Sequence, residues 1–267
     1  MNPYQHFFAF QKEPFRQDIP VSELYPLPDF PALVERFHYT LHLGAVSVLT
    51  GEIGSGKSTS LRYATNSIHP SEYKILPLVA HAGSLREFLK LLAIRLDCDP
   101  HTSSLTRLFE TLRGAVSELC GRNQRPVLII DEAHLLRSEV FSHLHTLMQY
   151  DFDSKPALAI LLSGQNQLLD KLHLLAARAL ASRVVARTHL ETLKCQQTQG
   201  YLQHHLEIAG SQKQLFTEDA VLAIHQGSGG LLRKANILAR GALMAAAREK
   251  SQLVSAEHVR IASTEVI

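Results

Sequence analysis

Eight consecutive residues, Gly51-Glu52-Ile53-Gly54-Ser55-Gly56-Lys57-Ser58, have the types and spacing of a loop that grips phosphate. Its glycines let the backbone wrap closely, its N–H groups point inward, and a helix starting at the lysine adds positive potential. In that arrangement Lys57 reaches the β- and γ-phosphates of a nucleotide, and Ser58 places its hydroxyl on Mg2+. The expected ligands are ATP and Mg2+, cradled by Gly51 through Thr59.

A second group fits the same chemistry. The apolar run Val127 to Ile130 ends in Asp131 and Glu132. A carboxylate at such a strand end holds the metal, through water or directly, and that role falls to Asp131. Glu132, one residue beyond, is placed to polarise the water that attacks the γ-phosphate. Leu158 to Leu162 then runs into Ser163-Gly164-Gln165, and either Gln165 or Ser163 can sense the γ-phosphate from that strand tip. Asp131-Glu132-Ala133-His134 also spells a helicase-like tetrad, but 267 residues leave no room for the second core a helicase needs.

Arginines supply the remaining charge. Arg178, Arg183 and Arg187 lie before and within the last apolar stretch of the central region. Arg183 is the first choice, and Arg178 the second, for a finger that enters a neighbour's nucleotide site and neutralises transition-state charge. Arg233 opens a later helix, after Gly229-Gly230, from which it would fold back onto the γ-phosphate.

The elements that must position these groups follow from hydrophobic periodicity. Residues 1–31, rich in Pro and aromatics, read as an extended arm that packs onto the body. A helix is expected over 32–43, a strand over 45–50, a helix from Lys57 to about Ile68 and a strand over 74–80. Apolar stripes predict helices over 84–96 and about 105–119. The runs 127–130 and 158–162 are continuous, as expected of strands buried on both faces of a parallel sheet, and 184–190 is a last strand. Helices alone follow, at 195–209, 217–226, 231–249 and 255–264, the last capped by Ser255. The organisation read from this is an arm (1–31), an α/β nucleotide-binding core (32–191) with a parallel sheet sandwiched by helices, and a small all-helical lid (192–267).

Composition sets wider bounds. A hydrophobic share of 45% with 19% charged residues is that of a globular protein with a sizeable core. Lys and Arg total 27 against 25 Asp and Glu, a balance that neither requires nor excludes nucleic acid. The three cysteines share no CxxC spacing and suit a reduced compartment. The N-terminus lacks the basic start and apolar stretch of a signal peptide, and no apolar run approaches the ~20 residues of a membrane span. The chain therefore reads as cytoplasmic. Its fifteen histidines are scattered and read as solvated or partly buried side chains rather than metal ligands.

The order of motifs resembles that of the ExeA-type AAA+ ATPases: GEIGSGKST, IIDEAH, a strand ending SGQ, LASRVVAR and GSGGLLRKAN. That group includes the general secretion pathway A proteins and the short ATPases encoded beside transposases. The opening Tyr4, Phe7-Phe8 and Glu13-Pro14-Phe15 is similar to the family's first segment. The resemblance implies an AAA+ core with a helical lid, Lys57 and Ser58 at nucleotide and Mg2+, and Asp131 and Glu132 as hydrolytic acids. It likewise implies Gln165 in the first sensor, Arg183 as the finger and Arg233 as the second sensor. The family's lid helix starts Pro-Arg-x-Ile-Asn, whereas this chain has Leu232-Arg233-Lys234-Ala235-Asn236, keeping the arginine and asparagine in register.

Two partner classes are compatible with that resemblance. A self-contained ATPase of this length resembles the MuB, IstB and TniB/TnsC transposition regulators, which implies a homo-oligomer, ring or filament, assembled on duplex DNA and recruiting a transposase. Arg86 and Lys90, one turn apart on a helix, are the candidate DNA contacts. The alternative is an ATPase that remodels a protein partner in envelope assembly, as the secretion branch implies. A scaffold without turnover would have no use for Glu132, and a small-molecule kinase lacks an acceptor pocket in this sequence.

Overall fold

The chain opens with a short helix, α1 (Pro3–Phe7), where the proline occupies the first position and gives up no hydrogen bond there. The computed structural model describes residues 3–99 and 101–264; the outermost residues of the arm and lid spans lie outside it. Residues 3–31 are thus not wholly extended as expected, since they hold α1, a 3-10 turn at Val21–Glu23 and, from Phe30, the start of the next helix. Their many prolines limit them to these short pieces.

Two compact units follow from the backbone contacts. One comprises Pro28–Glu52 and Lys57–Leu190; the other joins the segment up to Leu27, the loop Ile53–Gly56 and the chain from Glu191 onward.

The first unit is an α/β layer structure. Its elements in chain order are α2 (Phe30–Leu43), β1 (Val46–Gly51), α3 (Lys57–Thr65), β2 (Tyr73–Val79), α4 (Leu85–Arg95), α5 (Leu105–Gly121), β3 (Arg125–Asp131), α6 (Ser138–Leu144), β4 (Ala159–Gly164), α7 (Gln167–His173), α8 (Arg178–Ala181) and β5 (Val184–Leu190). All strand pairs are parallel, in the order β2-β3-β4-β1-β5. Every residue of β1 and β4 is buried, because helices cover both faces and leave no solvent-facing side. One cluster gathers Val46, Leu128 and Ile160 with Phe88 and Leu112; another gathers Leu49, Ile129 and Leu161 with Leu33 and Phe37. These clusters fix the strand tips, which carry the chemistry.

Local signals set the helix boundaries. At α4 the Ser84 hydroxyl accepts the Glu87 N–H (3.3 Å), and the Glu87 carboxylate accepts the Ser84 N–H (2.7 Å), a reciprocal cap. Helix α3 stops at Thr65 rather than near Ile68. There the Thr65 and Ser67 hydroxyls donate to the Arg62 and Ala64 carbonyls, giving the backbone a non-helical alternative.

The second unit is helical: α9 (Cys195–Ile208), α10 (Glu218–Ser228), α11 (Leu232–Arg248) and α12 (Ala256–Thr264). The Thr217 hydroxyl caps α10 by accepting the Ala220 N–H. At α12 Ser255 marks the start, and its N–H donates to Nδ1 of His258, which reaches back as a capping side chain. The arm is part of this unit's core: Phe15 is 1% exposed, stacks on His205 at 5.1 Å and meets Phe216 edge-on. Burial pushes the His205 imidazole down to about 3, so it packs as a neutral ring. Among the described residues no helix is long and apolar enough to cross a membrane.

Candidate nucleotide-binding site

Three strand tips converge in the α/β unit. β1 lies between β4 and β5, with β3 on the far side of β4, and all end at the same edge because they run parallel. The carboxyl edge of such a sheet is where open α/β folds place their ligands.

Asp131 accepts three hydrogen bonds there. Its Oδ2 accepts the Ser58 hydroxyl at 2.8 Å. Its Oδ1 accepts the Ser163 hydroxyl and the Glu132 N–H, both at 2.9 Å. The pairing of Ile130 with Leu162 brings the next residues along, Asp131 and Ser163, side by side. Lys57 is buried at the start of α3, and its Nζ donates to the carbonyls of Gly51 and Glu52 at 3.0 Å each. Those two carbonyls hold the ammonium in place.

Glu132 follows in the left-handed region (φ 54°, ψ 31°). A glutamate there carries a backbone cost of order 1–3 kcal/mol, which persists only where the surroundings impose it. The Asp131 carboxylate does so by binding the Glu132 N–H. The side chain stays 39% exposed, with Oε2 3.4 Å from Nδ1 of His134.

Of the two sensor candidates, Ser163 lies within β4 and bonds Asp131, whereas Gln165 is the first residue past the strand. The Gln165 amide Nε2 is 3.1 Å from Nε2 of His134, so the two residues take different partners. His134, the last residue of the helicase-like tetrad, is buried and stands between Glu132 and Gln165. The tetrad itself was the signal that could have found it.

The loop tip belongs to the second unit, beside the start of α11. Gly54 has φ +85°, and a Cβ there would come within 2.9 Å of the Arg233 Cβ. The Arg233 N–H donates to the Gly54 carbonyl at 3.1 Å, while its guanidinium end is exposed. Ser55 Oγ is buried without a hydrogen-bond partner. Gly230 supplies the turn before α11. Gly230 sits at φ +74°, where a Cβ would fall 2.2 Å from the Leu193 carbonyl oxygen. Asn236 accepts the Tyr201 hydroxyl at 2.8 Å, a bond inside the helical unit.

The other candidates lie elsewhere on the α/β unit. Arg183 precedes β5, and its carbonyl accepts the N–H of Val46, the first residue of β1. That is the end of the sheet opposite Gly51. Seven strand residues at ~3.3 Å each put it about 20 Å from the tips. Its guanidinium pairs with Asp153 at 2.7 Å. Burial and then the Arg183 charge hold the His145 imidazole below its ordinary range. Arg178, at the start of α8, and Arg187, within β5, are exposed. On α4 Arg86 is exposed and Lys90 half-buried.

The donor set suits Mg2+. Among the described residues no three His, Cys, Asp or Glu side chains are gathered for a metal. One hydroxyl and one carboxylate at 2.8 Å are instead the sparse oxygen set of an ion that keeps waters and takes phosphate oxygens. Ser58 and Asp131 are the residues that would hold it.

Residues 42–172 match the family described as AAA domain. The chain is 30% identical, over 266 residues, to the General secretion pathway protein A of Aeromonas hydrophila, a match that covers 98% of this chain and 48% of that protein. The chain thus spans about half the length of that curated relative. Among solved structures, Cdc6p of Pyrobaculum aerophilum aligns with a TM-score of 0.72 at 18% identity, over 95% of this chain and 70% of that one. The ORC1 protein of Aeropyrum pernix, solved in complex with DNA, aligns with a TM-score of 0.69 at 18% identity, over 93% and 68%. The RuvB Holliday junction branch migration motor of Thermotoga maritima aligns with a TM-score of 0.55 at 16% identity, over 92% and 73%. At such identities these structures share a fold with this chain.

Proposed function

We propose, from the premise that this chain belongs to the ExeA-type AAA+ family, that it binds ATP with Mg2+ and hydrolyses it to ADP and phosphate. The observation that carries this reading is the Asp131 carboxylate bonded to both Ser58 and Ser163 at the strand tips, with Glu132 beside it. Gly51 through Thr59 cradle the phosphates, and Lys57 leaves the Gly51 and Glu52 carbonyls for the β- and γ-phosphates. Bound Mg2+ would neutralise charge on those phosphates. Glu132 takes a proton from the attacking water, Gln165 stands by at the next strand tip, and Arg233, tied to Gly54, couples residues 192–267 as a lid to the loop.

The active unit in this reading is a homo-oligomer. Arg183 is about 20 Å from its own strand tips and acts only on a second copy's nucleotide, once it leaves Asp153. Arg178, exposed on the same flank, is the alternative finger.

For the activator, we favour duplex DNA, with Arg86 and Lys90 as contacts on α4 and a transposase as the recruited partner. The observation favouring a protein partner in envelope assembly instead is the match of 98% of this chain to a secretion protein. ATP hydrolysis by the purified chain, measured with and without duplex DNA at low and moderate salt, separates the two. Stimulation that fades as salt rises supports DNA, because phosphate contacts release counterions. Turnover indifferent to DNA transfers the role to a protein partner.

A further inference from the structure

We propose that His134 is a positioning residue for hydrolysis: its imidazole orients the Glu132 carboxylate, and Gln165 fixes which ring nitrogen carries the proton. The inference rests on the ATPase reading above and assigns a task to the fourth residue of the Asp-Glu-Ala-His tetrad.

The surroundings of the ring motivate it. His134 is buried, 7% exposed, in the turn after β3. Its Nδ1 lies 3.4 Å from Oε2 of Glu132. Its Nε2 lies 3.1 Å from Nε2 of the Gln165 amide. The Gln165 N–H also points at Nδ1, from 3.4 Å. Nδ1 therefore faces two groups of opposite demand. The carboxylate needs a proton on that nitrogen, and the backbone N–H needs a lone pair there. A neutral imidazole carries one proton. When the Gln165 amide donates to Nε2, it leaves the proton on Nδ1, and the ring then holds Glu132. The partner at one nitrogen sets the tautomer at the other, the logic by which a third group orients a catalytic base.

The ring has little room to do anything else. A Cβ on Gly164 would stand 3.1 Å from Nδ1 and 3.2 Å from the His134 backbone nitrogen, so the strand-end glycine is what admits the imidazole. The Glu132 backbone is fixed as well, in its left-handed conformation with its N–H on Asp131. With backbone fixed and side chain half in solvent, the direction of the carboxylate depends on His134. A misaligned base costs up to about 100-fold in rate.

The test is steady-state hydrolysis, with nucleotide affinity measured separately by a fluorescent ATP analogue. His134→Ala is expected to lower kcat about 10- to 100-fold with nucleotide affinity unchanged. His134→Asn, whose amide nitrogen reaches the place of Nδ1, is expected to recover part of the loss, whereas His134→Gln is not. Gln165→Ala should cost several-fold alone and add little to His134→Ala, since both act through one ring. If His134→Ala fails to fold, the Asn variant and Gln165→Ala decide the matter by the same split. Parental kcat in these variants, or nucleotide affinity falling in step with kcat, overturns the inference while leaving the ATPase reading standing. No hydrolysis by the parent chain under any activator overturns both.

Discussion

At the tips of β3 and β4 the buried polar groups bond one another, whereas in the helical unit a buried imidazole is surrounded by aromatic rings. His134 stands between a carboxylate and an amide, within 3.4 Å and 3.1 Å. His205 is stacked on Phe15 at 5.1 Å and meets Tyr201 edge-on at 4.4 Å. Both are buried, so burial does not distinguish a working histidine from a packing one. The partners do: a ring among rings is held neutral and fills space, while a ring among acceptors and donors transmits orientation.

That contrast can be broken by variants placed on either side of it. The largest effect is expected from Arg183→Ala, which should lower turnover by roughly 10³–10⁵ with ATP affinity retained, as loss of a finger in trans does. If Arg178→Ala abolishes turnover instead, the roles of the two arginines exchange; lost ATP binding would make Arg183 structural. Next, Phe15→Ala should destabilise the helical unit by ~3–5 kcal/mol and lower the Tm, because it removes a ring 1% exposed. An unchanged Tm would show that the arm is not part of that core.

The smallest effect sharpens the comparison through pH. The His205 pKa is depressed by burial, first, and by His204 to about 3 in the folded state, against an ordinary value near 6.5. The unfolded chain then binds the extra proton between those values, so stability falls as pH drops below about 6.5. The loss at pH 5 relative to pH 7 is about 2 kcal/mol. His205→Phe should remove that share of the pH dependence of Tm. A variant with the parent's slope would show that other groups set it.

The contrast between the two histidines is not legible in the sequence, which reads them as solvated or partly buried where both are buried; the elements around them are legible in part, for reasons that differ by element. β3 and β4 were readable because their residues are apolar on both faces, and the phosphate-binding loop because its glycines and lysine have a fixed spacing. Helices α6, α7 and α8 were not, since each spans seven residues or fewer and is too short to show a stripe. The contacts of Ser163, Gln165 and His134 depend on the register between β3 and β4, which periodicity does not state. α1 was masked by the prolines and aromatics around it.

The central claim is that Glu132 activates water at a strand tip where Lys57 holds the phosphates and Ser58 and Asp131 hold Mg2+. Its most direct test is Glu132→Gln, compared with the parent for ATP affinity and for phosphate release. The account predicts affinity within a few-fold of the parent and turnover lower by roughly 10²–10⁴, the usual share of a general base. Parental turnover in the variant, or a parent chain that binds no ATP, would contradict it.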